Sequence, residues 1–251
     1  MCILCETPKF SGETVGLGSA SRRRALKLAA TAALAPISLA TTTPAWGTVP
    51  KPQNELSPDA ALARLMAGNE RYVSGNTGPV NFSNTRQALI RGQNPYASLV
   101  SCADSRIGPE YAFDEERGDL FVTRVAGNFV NTDILASLEY GSAVLGSSLI
   151  MVLGHTRCGA ISATVDAVTK NASFPGHIQN LTTALSPAVR AVVGKVKPDD
   201  LVMAATIENV KQNVQLVQQA TPILSELVVQ AKLKVVGGIY HLDTGRVVLV
   251  S

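Results

Sequence analysis

Four short apolar runs, residues 97–101, 120–125, 148–153 and 234–240, constrain the fold of this chain more than any other feature. Each has the length of a single strand, and helix-length segments separate them. Strands that alternate with helical segments pair in parallel, and a parallel strand is covered on both faces, which is why such runs read as nearly all apolar. Helical spacing is visible between the runs. Ile134, Leu135, Leu138, Val144 and Leu145 form one stripe, and Met203, Ile207, Val210, Val214 and Val217 form another. Upstream, Ser57-Pro58-Asp59 reads as a helix start, with Ser57 as cap and Pro58 in the first helical position. Leu62, Leu65, Met66, Asn69 and Val73 continue that helix until Gly75 to Gly78 end it. Residues 241–246 read as a hairpin turn, and 247–250 as an antiparallel strand on the sheet edge. The expected fold class is α/β: a mostly parallel central sheet of about four strands plus an antiparallel edge strand, flanked by helices.

Two polar motifs sit where such a sheet places its chemistry. Cys102-Ala-Asp104-Ser-Arg106 directly follows the first run, and Gly154-His155-Thr-Arg-Cys158-Gly-Ala160 directly follows the third. In open parallel sheets, sites form at the carboxyl ends of the strands. Two thiolates and an imidazole, Cys102, His155 and Cys158, suit Zn²⁺, and three protein ligands leave a fourth tetrahedral position open, as in catalytic zinc sites. Zinc makes hydroxide available near neutral pH by acidifying its bound water. Asp104 and Arg106 lie two residues apart in what reads as an extended segment, so their side chains emerge on one side. The guanidinium keeps the carboxylate ionised, an acceptor that can orient the proton of a hydroxide on the metal.

The charge balance gives the body no sign of a phosphate-binding surface, and no nucleic-acid partner is expected. Residues 1–45 carry five basic side chains against two acidic ones, and the 17 basic and 17 acidic residues that remain cancel. The basic leader contains Ser21-Arg22-Arg23-Arg24-Ala25-Leu26-Lys27, which resembles the twin-arginine export signature, followed by a mild apolar run over 28–40. That run is too short and too interrupted for a stable membrane span. Three parts are expected: a cleaved signal peptide over 1–45, a Pro- and Thr-rich linker over 46–56, and one catalytic domain over 57–251 delivered to the periplasm. Cys2 and Cys5 form a Cys-x-x-Cys that nothing downstream completes. Cys102 and Cys158 then remain, and an oxidising compartment would favour a disulfide between them were they not metal ligands.

Together, the Cys102–Arg106 and Gly154–Ala160 motifs resemble the signature of the beta-class carbonic anhydrases. So do residues 119–128, Ser137-Leu-Glu-Tyr-Gly141 and residues 238–245, and the similarity covers roughly 57–251. The resemblance implies one zinc per chain on Cys102, His155 and Cys158, with Asp104 and Arg106 as a catalytic dyad. The implied reaction is hydration of carbon dioxide to bicarbonate and a proton by attack of zinc-bound hydroxide. It aligns Gln93 with a substrate-binding glutamine of the plant-like branch, and Phe121, Ala126 and Tyr140 with its pocket-lining positions. A regulatory bicarbonate site of another branch needs a tryptophan where this chain has Leu99. The family assembles as homodimers or larger oligomers. In some members the aspartate takes the fourth zinc position, so Asp104 has two possible partners, the metal or Arg106. Two alternatives stay open: a zinc hydrolase of a CO₂ analogue such as carbonyl sulfide or carbon disulfide, and a non-catalytic zinc-stabilised binding protein. His177 reads as a loop histidine able to relay protons, and His241 as structural.

Overall fold

The structure, a computed structural model, describes residues 55–78, 86, 89–90 and 92–251. The arginine-bearing leader, Cys2, Cys5 and most of the linker lie outside the described residues.

Five strands form one sheet in the order β2-β1-β3-β4-β5, with β1 at Ala97–Ser101, β2 at Leu120–Arg124, β3 at Leu149–His155, β4 at Lys234–Tyr240 and β5 at Val247–Leu249. The first four are mutually parallel, and β5 runs antiparallel to β4. The α/β reading and the edge strand are therefore observed. Alternate residues of the central strands feed two cores. Leu99, Met151, Leu153 and Val236 pack on one face with Ala61 and Leu65 of helix α1 (Pro58–Ser74). On the other face Val100, Ile150, Val152 and Ile239 meet Val210 and Val214 of a long helix, Leu201–Gln219. Both faces are thus sealed, as a parallel sheet requires.

Helix α1 begins as its sequence dictates: Ser57 Oγ accepts from the Ala60 amide at 3.3 Å, Pro58 follows, and Gly75 closes the helix in the left-handed region. The other elements, in chain order, are α2 (Pro109–Ala112), α3 (Thr132–Glu139), α4 (Gly159–Lys170), α5 (Ile178–Val192), α6 (Leu201–Gln219) and α7 (Ile223–Val229). Among these, α5 carries an apolar stripe of Ile178, Leu181, Leu185, Val189 and Val192 that a strand-centred reading passes over.

Two local expectations are corrected. The stripe drawn through Val144 breaks, because α3 widens into a π-helical turn at Tyr140–Val144. A wider turn shifts the angular register, so Leu138 is buried while Val144 is 63% exposed. Strand β3 also runs two residues further than the apolar run, so His155 belongs to the strand and not to the loop after it. The cause is the partner strand: Gly154 and His155 pair in register with Ile239 and Tyr240. Gly154 lets helix α6 lie against the strand there, since a Cβ at that position would stand 2.8 Å from Val210 Cγ2 and 3.2 Å from Thr206 Cγ2.

Candidate metal centre

The carboxyl ends of β1 and β3 lie side by side, which brings together residues more than 50 positions apart in sequence. Cys102 is the first residue beyond β1, His155 is the last of β3, and Cys158 caps the amino end of α4. All three are buried, and their donor atoms lie within 4.8 Å of one another. The two sulfurs are 4.0 Å apart and both cysteines are free. That separation excludes a disulfide, whose sulfurs stand about 2.05 Å apart. Two sulfurs on a tetrahedral zinc, each about 2.3 Å from the ion, are separated by about 3.8 Å.

The histidine is preset for the same ion. His155 Nδ1 lies 2.9 Å from the Thr156 carbonyl oxygen, which selects the tautomer with its proton on Nδ1. Nε2 is then left with its lone pair, buried and without a hydrogen-bond partner. A buried, unpartnered nitrogen carries a free-energy cost that a metal ion removes. The donor set therefore fits zinc: two soft thiolates, one imidazole and one open side.

Cys102 has further support. The Gly127 amide donates to its Sγ at 3.3 Å. Gly127 has φ +85°, and a Cβ there would stand 2.6 Å from Leu185 Cδ1, so only glycine lets the amide approach. The hydrogen bond from Cys158, aided by the His155 ring and the Gly127 and Asp104 amides, holds the Cys102 thiol well below an ordinary cysteine. The hydrogen bond to Cys102 and burial push the Cys158 thiol up. Two sulfurs this close hold one proton between them, which a divalent cation would displace.

Asp104 and Arg106 stand at the mouth of the donor set. The segment is a turn and not the extended stretch expected: the Ile107 amide donates to the Asp104 carbonyl at 3.2 Å. The turn still unites the two side chains, because the Arg106 amide donates to Asp104 Oδ1 at 2.9 Å as in an Asx-turn. Arg106 Nε donates to Oδ1 at 2.9 Å and Nη2 to Oδ2 at 2.7 Å, a two-pronged pair. These hydrogen bonds from Arg106 hold the Asp104 carboxyl well below the usual carboxylate range. Its Oδ2 lies 3.8 Å from His155 Nε2, next to the open side of the donor set. Arg106 Nη2 also reaches the carbonyl of Arg157 at 3.3 Å, so the dyad ties the two ligand-bearing segments together. Arg157 itself is exposed, with a left-handed backbone (φ 55°) between the two downstream donors.

The remaining site residues fall in two places. Ala126 is half-buried in the loop after β2, beside Gly127 and hence near Cys102. Gln93, Phe121 and Tyr140 are not brought to this chain's own donor set. Phe121 pairs in register with Ser98, four residues before Cys102, or about 13 Å along the strand. Tyr140 lies against Phe121, with ring centroids 6.2 Å apart. Gln93, exposed, lines an open depression of about 410 Å³ with Leu89, Ile90, Gly92 and Gly118, before β1 and β2 begin. His177 is an exposed residue at the start of α5, and His241 follows β4. Sequence reasoning missed Gly127 and Arg124 as parts of the centre. Both lie within residues 119–128, yet nothing in a linear pattern shows that their donors turn towards Cys102.

A Cys-His-Cys donor set at the carboxyl edge of a parallel sheet, with one side open and a carboxylate beside it, defines a mononuclear zinc enzyme of α/β fold and not a structural zinc module, whose ion is closed by four protein ligands. The comparisons with known proteins make this specific. The family model described as carbonic anhydrase matches residues 97–247, and the chain belongs to that family. It is 35% identical to carbonic anhydrase 2 of Mycobacterium tuberculosis over 194 residues, which cover 77% of this chain and 93% of that protein. A carbonic anhydrase of Mycolicibacterium smegmatis is 33% identical over 196 residues, 78% of this chain and 94% of its own length. Among solved structures, the beta-carbonic anhydrase CcaA superposes with a TM-score of 0.60 at 27% identity, over 76% of this chain and 95% of its own.

Proposed function

We propose that this chain catalyses the reversible hydration of carbon dioxide to bicarbonate and a proton, with Cys102, His155 and Cys158 holding one zinc and Asp104 and Arg106 acting as a dyad. The observation that carries this reading is the Asp104 carboxylate, ionised by Arg106 and set 3.8 Å from a donor atom of the centre. Zinc, when bound there, supplies an acidified water at its fourth position. Asp104, held ionised, can only accept a hydrogen bond. It would accept a hydrogen bond from whatever oxygen occupies that position, the proton staying on that oxygen, and so turn the oxygen's lone pair towards the incoming carbon. Arg106 keeps the carboxylate charged and pointed, and its own charge stabilises the developing bicarbonate.

We further propose that the working unit is at least a homodimer in which a second copy brings Gln93, Phe121 and Tyr140 to this centre. Tyr140 is 48% exposed and Ile90 67% exposed, an apolar surface beside the open edge strand β2. A hydration assay across a dilution series tests both readings at once. Carbon dioxide should be hydrated with about one zinc per chain, and the rate per chain should fall as the assembly dissociates. A chain that turns over carbonyl sulfide but not carbon dioxide overturns the substrate; full activity in a sedimenting monomer overturns the shared pocket.

Export by the twin-arginine route to the periplasm, with cleavage of residues 1–45 as a signal peptide, completes the proposal. That route carries folded proteins, so zinc is loaded in a reducing compartment and both thiolates are capped before they meet oxidants. Among the described residues no helix is long and apolar enough to cross a membrane. Replacing Arg22 and Arg23 together with Lys is expected to retain the enzyme in the cytoplasm. Unchanged periplasmic activity after that exchange removes the export reading.

A further inference from the structure

Arg124 is the last residue of β2 and no part of the donor set or the dyad, yet both its guanidinium contacts go to the segment that carries them. Nε donates to the Cys102 carbonyl at 2.9 Å and Nη2 to the Asp104 carbonyl at 2.7 Å. The β1–β2 ladder continues just past the strand ends, where the Val125 amide donates to Ser101 and the Ala103 amide to the Val125 carbonyl. Beyond Ala103 it stops, and there the guanidinium takes over as a main-chain partner. Its rigid fork can span two carbonyls two residues apart, which a lysine ammonium cannot do.

The two ends of this clamp do not need it equally. Cys102 directly follows a strand, is flanked by ladder bonds at Ser101 and Ala103, and has its sulfur held by the Gly127 amide. Asp104 lies beyond the last ladder bond, and among the described residues its carbonyl is otherwise met by the Ile107 amide of its own turn. We infer that Arg124 is a positioning residue of the hydration reaction, which fixes the Asp104 backbone so that the carboxylate stays aimed at the fourth metal position, while zinc retention depends on it little. The inference rests on the dyad reading given above.

The test is a double-variant cycle on the full enzyme with zinc content measured in every sample. Arg124→Gln is expected to lower kcat on the order of 10- to 100-fold, the usual cost of a displaced reacting group. KM and zinc content should stay close to those of the parent chain. Arg124→Lys, which keeps the charge and can bond one carbonyl, should recover part of the loss, and it carries the same cycle if the glutamine variant does not fold. In an Asp104→Asn background, where there is no carboxylate to aim, the Arg124 exchange should change kcat less than about twofold, because residues acting through one another are not additive. Costs that multiply in the double variant, or zinc lost in step with activity, overturn the positioning role. An Asp104→Asn enzyme with the parent rate overturns the dyad itself and the inference with it, so the two failures are distinguishable.

Discussion

Cys158→Ser is expected to strip the enzyme of zinc and reduce hydration of carbon dioxide to the uncatalysed background. Cys158 is fully buried at the amino end of α4, with its sulfur 4.0 Å from that of Cys102. A serine hydroxyl is a hard donor that does not ionise readily, so two ligands would remain where three held the ion. Plasma emission analysis should read near one zinc per chain in the parent and near none in the variant. The same variant should lose most of the thermal stabilisation that added zinc gives the parent, because an ion bound only by the folded state stabilises it by mass action. A variant that keeps its zinc and turns over normally excludes Cys158 as a ligand. Intact enzyme should also show no Cys102–Cys158 crosslink under non-reducing conditions, since both sulfurs are committed to the metal.

The second large effect separates chemistry from metal retention. Arg106→Ala is expected to lower kcat on the order of 10²- to 10³-fold, the usual loss when a preorganised electrostatic partner is removed. Arg106 is not a donor, so zinc content should be unchanged. The variant deletes both side-chain hydrogen bonds to Asp104 and the tether to the Arg157 carbonyl, while the backbone amide contact to Oδ1 remains. Without the guanidinium, only the main-chain amide at position 106 still holds the carboxylate, and a crystal structure should show Asp104 turned towards the fourth position. Linkage gives the pH sign. A carboxyl held below its unfolded value contributes stability above that value and loses it as pH falls through the folded one, so the pair is formed throughout the neutral range. The pair is solvent-exposed on the arginine side, so the thermal midpoint at neutral pH should hardly move. Parent-like turnover with zinc bound removes the dyad from the mechanism.

Much of this molecule was legible in the residue order because its determinants are local or periodic. The runs at 97–101 and 234–240 are strands β1 and β4 with those bounds, since an apolar run of strand length between polar punctuation has few other uses. The donor set was legible for a related reason. Cys102 follows one apolar run and His155 and Cys158 both follow another, and in a parallel sheet the ends of neighbouring strands converge whatever the chain does between them.

What the tertiary structure alone decided depends on register and on close approach between distant segments. Whether Phe121 and Tyr140 stand beside Cys102 is set by the pairing of Ser98 with Phe121, a relation between two strands that neither encodes by itself. His155 became a strand residue because β4 offered it Tyr240 as a partner. The turn at Asp104, the Gly127 amide on Cys102 Sγ and the Arg124 clamp are hydrogen bonds across gaps of two to 25 residues, with no period to announce them. Sequence by itself determined which atoms can bind the metal and at which edge of the sheet. Only the folded chain decided how the carboxylate beside them is aimed, because aim is fixed by the last few donors to reach a loop, and those donors come from another strand.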